Sequence, residues 1–111
     1  MTEIPFEVES ETTPGDAPLQ YELPRDGRVR LTVRAGERRT GGHGIAVTNV
    51  RRDGTKLIVR CAFQTPAPGA IVTQVLTMPA QTVSIDERAA RGARTAVLID
   101  ESGAERARIT A

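Results

Sequence analysis

Hydrophobic and polar positions alternate with a period of two over most of this chain. Val29, Leu31 and Val33 are interleaved with Arg28, Arg30, Thr32 and Arg34, which predicts a half-buried strand with one apolar and one charged face. The same alternation predicts strands over residues 45–50, 56–63, 71–77, 82–85, 96–100 and 107–109, with weaker additions at 4–8 and 19–23. Residues 71–78 are nearly apolar on both faces, so they are expected in the middle of a sheet or at an interface. Turn residues punctuate the pattern: Arg51-Arg52-Asp53-Gly54 and Glu101-Ser102-Gly103 predict two antiparallel hairpins.

No long segment shows a 3.6-residue apolar period. The best helical candidate, residues 86–94, amounts to one turn, with Asp86 as its cap and Gly92 as its stop. Residues 10–18, which include Thr12, Thr13, Pro14, Gly15 and Asp16, read as a loop or flexible tether, and there is no internal repeat. Evenly spaced strands with turn signals point to an all-β fold, a small antiparallel sandwich or partly closed barrel of about seven to nine strands. A length of 111 residues fits one such domain.

Aromatic residues make up 3% of the chain, so the core is expected to consist of Val, Ile, Leu and Ala. With Cys61 as the lone cysteine no internal disulfide is available, and a reducing compartment is allowed. Residues 1–10 lack the basic start and apolar run of a signal peptide, and no stretch approaches the roughly 20 apolar residues of a spanning helix. The expectation is a cytoplasmic protein as the sequence stands, or a secreted protein or lipoprotein if a leader has been removed.

A net charge of +1 hides a division along the chain. Residues 1–24 carry six acids (Glu3, Glu7, Glu9, Glu11, Asp16, Glu22) and no base, whereas residues 25–60 carry ten bases and three acids. The acidic segment is therefore expected to pair with the basic sheet of its own or a neighbouring chain.

Three motifs stand in the middle of the chain: Thr40-Gly41-Gly42-His43-Gly44, Pro66-Ala67-Pro68-Gly69 and Val72-Thr73-Gln74, the last running on to Pro79. With Ala35-Gly36 ahead of them, in this order and spacing, residues 29–85 resemble the C-terminal domain of the protease-complex subunit PrcB family. The departures are His43, where the family usually has tyrosine, and Ala80 after Pro79, where an aromatic is common. The resemblance implies a domain without catalysis that binds a protein and assembles or stabilises a protease complex. The Thr-Gly-Gly loop also resembles that of chagasin-like cysteine-protease inhibitors, the alternative being an inhibitor, although their other signature loops are not evident.

Read by their chemistry alone, Gly41, Gly42 and Gly44 allow positive φ and close backbone approach, and their N–H groups are free to meet a partner's carbonyl or an anion. A tight turn or bulge explains them equally well. Pro66 and Pro68, followed by Gly69, stiffen the opposite loop through their fixed φ, and the two loops are expected to form one rim, with Thr73, Gln74 and Thr77 beside them. The candidate partner-binding residues are thus Thr40, Gly41, Gly42, His43, Gly44, Pro66, Pro68, Gly69, Thr73 and Gln74.

Catalytic and metal-binding residues are sparse. His43 and Cys61 are the one imidazole and the one thiol, and Cys61 alternates in phase with Leu57, Val59 and Phe63, which marks a buried structural thiol. His43 is expected at an exposed turn, and Asp53, Asp86, Asp100 and Glu101 fall at turns that explain them by capping. An enzyme, a metal site and a cofactor are therefore not expected. The rival reading is a nucleic-acid-binding face made by Arg28, Arg30 and Arg34 with Arg38, Arg39, Arg51 and Arg52 nearby, disfavoured by the missing aromatic stacking platform. A homo-oligomer built on residues 71–78 is a further reading.

Overall fold

The structure, a computed structural model, describes residues 2–11 and 13–111; Met1 and Thr12, at the start of the acidic segment and inside the predicted tether, lie outside the described residues. Among the described residues the chain forms β1 (Thr2–Glu3), β2 (Glu7–Ser10), β3 (Leu19–Arg25), β4 (Arg28–Arg34), β5 (Gly44–Asp53), β6 (Lys56–Gln64), β7 (Ala80–Asp86), α1 (Glu87–Ala90), β8 (Thr95–Ile99) and β9 (Glu105–Thr110). Two sheets result, one in the order β1-β5-β6-β8-β9 and the other in the order β2-β7-β4-β3, and neither closes into a barrel. This is the all-β sandwich that the alternation predicts.

The core follows the phase of the alternation. Val29, Leu31 and Val33 of β4, Leu57, Val59 and Cys61 of β6, Val83 and Ile85 of β7 and Leu98 of β8 are all buried in one cluster. Gln81 reaches across from β7 and accepts the Val47 N–H at 2.8 Å, tying the sheets together beside a register shift in β5. As the sequence predicts, Asp86 caps α1 by accepting from the Arg88 N–H at 2.8 Å, and α1 is a single turn.

Both predicted hairpins form, β5–β6 through Gly54 and β8–β9 through Ser102 and Gly103. A third, β3–β4, turns at Asp26-Gly27, where both residues have positive φ (54° and 73°), as a type I′ turn requires. This Asp-Gly pair lies outside the two hairpins predicted from the turn residues. One pairing departs from the antiparallel expectation: β6 and β8 are parallel. Two antiparallel neighbours need only a short turn, but a parallel pair needs a crossover, and here β7 and α1 supply it on the other sheet.

Residues 71–77 do not form the predicted strand. Both neighbours of β7 in its sheet are already taken by β4 and β2, so this segment finds a loop as its partner, and the ladder is reduced to one bridge between Arg38 and Thr77. The expectation of a central sheet position for it is likewise overturned, because Ile71, Val75, Leu76 and Met78 are exposed.

The loop before β3 is not a loose tether either. The face of β4 and β7 opposite the core holds Thr32, Arg34, Thr82 and Ser84, and all four are buried. Thr13 covers this face, its hydroxyl 2.6 Å from that of Thr82, which is in turn 2.8 Å from the hydroxyl of Thr32. Arg34, only 6% exposed, donates to the carbonyls of Pro14 (2.8 Å), Ala17 (2.9 Å) and Thr13 (3.5 Å) and to Gln20 Oε1 (3.0 Å). A guanidinium is suited to this task because its fixed fork presents five donors in several directions at once.

Candidate functional site

Two loops meet at one end of the sandwich. Residues 35–43 connect β4 to β5, and residues 65–79 connect β6 to β7. Their backbones are joined at several points: the Ala35 N–H donates to the Pro79 carbonyl (3.0 Å), Arg38 and Thr77 exchange N–H···O bonds (2.8 and 2.7 Å), and the Gly41 N–H donates to the Thr73 carbonyl (3.0 Å). The Thr77 hydroxyl adds a bond to the Thr40 carbonyl at 3.1 Å. The expected single rim therefore exists, held by main-chain bonds rather than by a regular ladder.

Side chains are crowded out where the loops touch. A Cβ at Gly41 would lie 2.6 Å from Thr73 Oγ1, and one at Gly42, whose φ is +84°, would lie 2.9 Å from Pro66 Cγ. The Gly41 N–H is consequently spent inside the molecule, which corrects the expectation that it stands free for a partner or an anion.

The candidate residues are dispersed around this contact. Thr40, Gly41, Gly42, Pro66 and Thr73 are brought together; Gly44 opens β5 opposite Gln64. Pro68 and Gly69 sit exposed at the tip of a turn closed by the Ala70 N–H and the Ala67 carbonyl, and Gln74 is exposed. His43 is half-buried rather than an exposed turn residue, with Nδ1 out of reach of solvent and of any hydrogen-bond partner among the described residues. It shares an open recess of about 300 Å³ with Glu11, Gln64 and Pro79.

What the candidate set omits are the side chains that the rim displays. Ile71, Val75, Leu76 and Met78 are exposed within eight residues, on a segment whose backbone is anchored at Thr73, Thr77 and Pro79. The signal was present in the sequence as an apolar run without alternation, the interface option of the strand reading.

The arginine face has a different character from that of a phosphate track. Arg28 donates to the Ser84 hydroxyl and carbonyl (3.0 and 2.9 Å) and lies 3.8 Å from Glu7; Arg30 donates to Glu9 at 3.1 Å; Arg34 is buried under its loop. The Ser84 hydroxyl and then Arg30 hold the Glu9 carboxyl below the usual carboxylate range. The acidic segment thus pairs with the basic sheet of its own chain, as the charge division predicts. Arg52 is turned inward as well, donating to the carbonyls of Gly54, Ala89 and Arg91. Cys61 is fully buried, and burial pushes its thiol up to about 12, as expected of a structural cysteine.

Comparison with known proteins covers the same region. No curated protein and no solved structure matches the chain. The family model described as PrcB C-terminal matches residues 31–86, half of the chain, from within β4 to the end of β7 and so including both loops of the rim. The acidic segment and the β8–β9 hairpin lie outside the match. The matched stretch thus holds both connecting loops and the main-chain bonds that join them, and the chain belongs to the PrcB C-terminal family.

Proposed function

We propose that this domain is a non-catalytic protein-binding module that assembles or stabilises a protease complex through its two-loop rim. The observation that carries the reading is the exposed group Ile71, Val75, Leu76 and Met78 on a loop pinned by main-chain bonds. An apolar cluster on a mobile loop would lose conformational entropy on docking; one held in place beforehand loses less, which favours association. Membership of the PrcB C-terminal family supports a protease-related partner. A phosphate track is less well supported: the rim shows Arg39 beside Glu37, Gln74 and the apolar group, and the arginines of β4 are engaged elsewhere.

The test uses the native domain and an Ile71→Asp, Leu76→Asp variant as parallel baits in a lysate of the source cells. Both positions are exposed, so the variant is expected to keep the native melting temperature. Retention of a protease or a subunit of its complex by the native bait alone supports the reading. Equal retention by both baits removes the rim from it, and retention of no protease-related protein removes the protease complex.

A further inference from the structure

The acidic segment is attached differently from the other strands. β1 pairs with β5 on one sheet, the chain crosses at Ile4, whose N–H donates to the Val50 carbonyl at 2.8 Å, and β2 pairs with β7 on the other. Of the described side chains from Thr2 to Glu11, Ile4 alone is buried, and Val8 is exposed. Phe6 is partly buried and packs against the core, and the contacts of the acidic side chains are polar. Glu3 accepts from Asn49 (2.6 Å), Glu7 lies 3.8 Å from Arg28, Glu9 accepts from Arg30 (3.1 Å) and Ser84 (2.9 Å), and Glu11 accepts from Gln81 (3.3 Å).

β2 itself is easily released, because no side chain of Glu7–Ser10 is buried and ion pairs near the surface hold weakly. Its departure leaves a site of defined chemistry: the main-chain edge of β7, the guanidinium groups of Arg28 and Arg30, and the Ser84 hydroxyl. That site calls for an extended strand with carboxylates at alternate positions, the pattern of Glu7, Glu9 and Glu11. We infer that the edge of β7 is an acceptor for an acidic strand, and that its second occupant is the same segment of another copy of this chain, exchanged in trans. The pivot is fixed, since Arg34 grips the carbonyls of Thr13, Pro14 and Ala17 just after the strand. Every contact made within one copy is remade between two, so concentration decides between them.

Glu7 and Ser84 stand opposite each other in register, and Ser84 is fully buried beneath the strand. A chain carrying both Glu7→Cys and Ser84→Cys is expected to close an intrachain disulfide on oxidation. Mixing a Glu7→Cys chain with a Ser84→Cys chain is expected to give a covalent heterodimer, more at higher protein concentration, formed faster at high salt and suppressed by excess peptide of residues 2–11. On the unaltered full chain, the same peptide carrying a fluorophore is expected to bind saturably, and Arg28→Glu with Arg30→Glu to weaken it about tenfold or more. Closure of the double variant without any heterodimer from the mixture overturns the exchange. Failure of the double variant to close, or of the peptide to bind the unaltered chain at millimolar concentration, overturns the acceptor site itself.

Discussion

The Gly41 N–H donates to the Thr73 carbonyl at 3.0 Å, while the space a Cβ would take at Gly41 is filled by the Thr73 hydroxyl, 2.6 Å away. Thr73 thus accepts the Gly41 N–H and also occupies the space a side chain at Gly41 would need. Gly41→Ala must move Thr73 or part the loops, at a cost of about 1–3 kcal/mol for overpacking. Thr73 is exposed and able to yield, so the lower end is expected. In a Thr73→Ala background the cost should largely vanish, and a double-mutant cycle by urea unfolding measures that coupling.

Arg34 is expected to be the most sensitive charged position in the chain. Its four acceptors are all neutral and belong to the covering loop and to β3. Arg34→Ala leaves them without a donor and should destabilise the domain by about 2–4 kcal/mol. Arg34→Lys should recover less than half of that, because one ammonium cannot serve acceptors spread around a planar fork. Chemical unfolding gives the magnitudes, and faster proteolysis between Thr13 and Ala17 would show that the loop has lifted.

Acid should weaken the β8–β9 hairpin. The Ser102 hydroxyl, then Arg106 and the N–H groups of Ala104 and Ser102, lower the Asp100 carboxyl to about 2. The folded value lies below the ordinary aspartate value of about 3.9, so this contribution is complete above about pH 4 and disappears as pH falls toward about 2. Thermal melting between pH 5 and pH 2 should therefore fall less steeply for Asp100→Asn than for the native protein. Parallel slopes would assign the acid sensitivity to other carboxylates, with Glu9, also lowered, as the next to replace.

Cys61 should be silent toward thiol reagents in the folded state. It is fully buried, and with its thiol raised to about 12 the reactive thiolate is scarce at pH 8. Labelling is expected to follow unfolding, with a rate that rises with urea as the unfolded population rises. Its neutral form is the one that the fold favours, so this contribution to stability holds below the ordinary thiol value and is lost as pH climbs toward about 12.

The alternation of Val29, Leu31 and Val33 with arginine and threonine located β4 and its buried face correctly, because a strand's inward side is a local property of its spacing. Residues 71–78 were misread for the same reason. Their composition suits a strand, but a strand needs a free neighbour, and the occupancy of β7 by β2 and β4 is written elsewhere in the chain. The rim was legible as a pair of motifs, Thr40-Gly41-Gly42 and Pro66-Ala67-Pro68-Gly69, whereas the exposed side chains of Ile71, Val75, Leu76 and Met78 emerged only with the fold. Arg34 was placed on the right face, yet nothing in its neighbours announced that residues 13–17 would cover it. His43, read as exposed, is half-buried because the loop around it folds back toward Gln64 and Pro79.

The parallel pairing of β6 with β8 also leads to an expected order of folding. β6 gains its β5 neighbour across a two-residue turn, but its other edge is filled only after the chain has crossed to the opposite sheet, laid down β7, turned through α1 and returned. Closing so long an excursion costs chain entropy before any contact rewards it, so β8 is expected to dock late, as pulse-labelled hydrogen exchange would show. Until then Leu57 and Val59 lie along an open strand edge, the state in which a newly made chain is most exposed to sticking to its neighbours. The family match from Leu31 to Asp86 ends before β8, so the strand that covers this edge of β6 comes from outside the matched stretch, in the C-terminal hairpin.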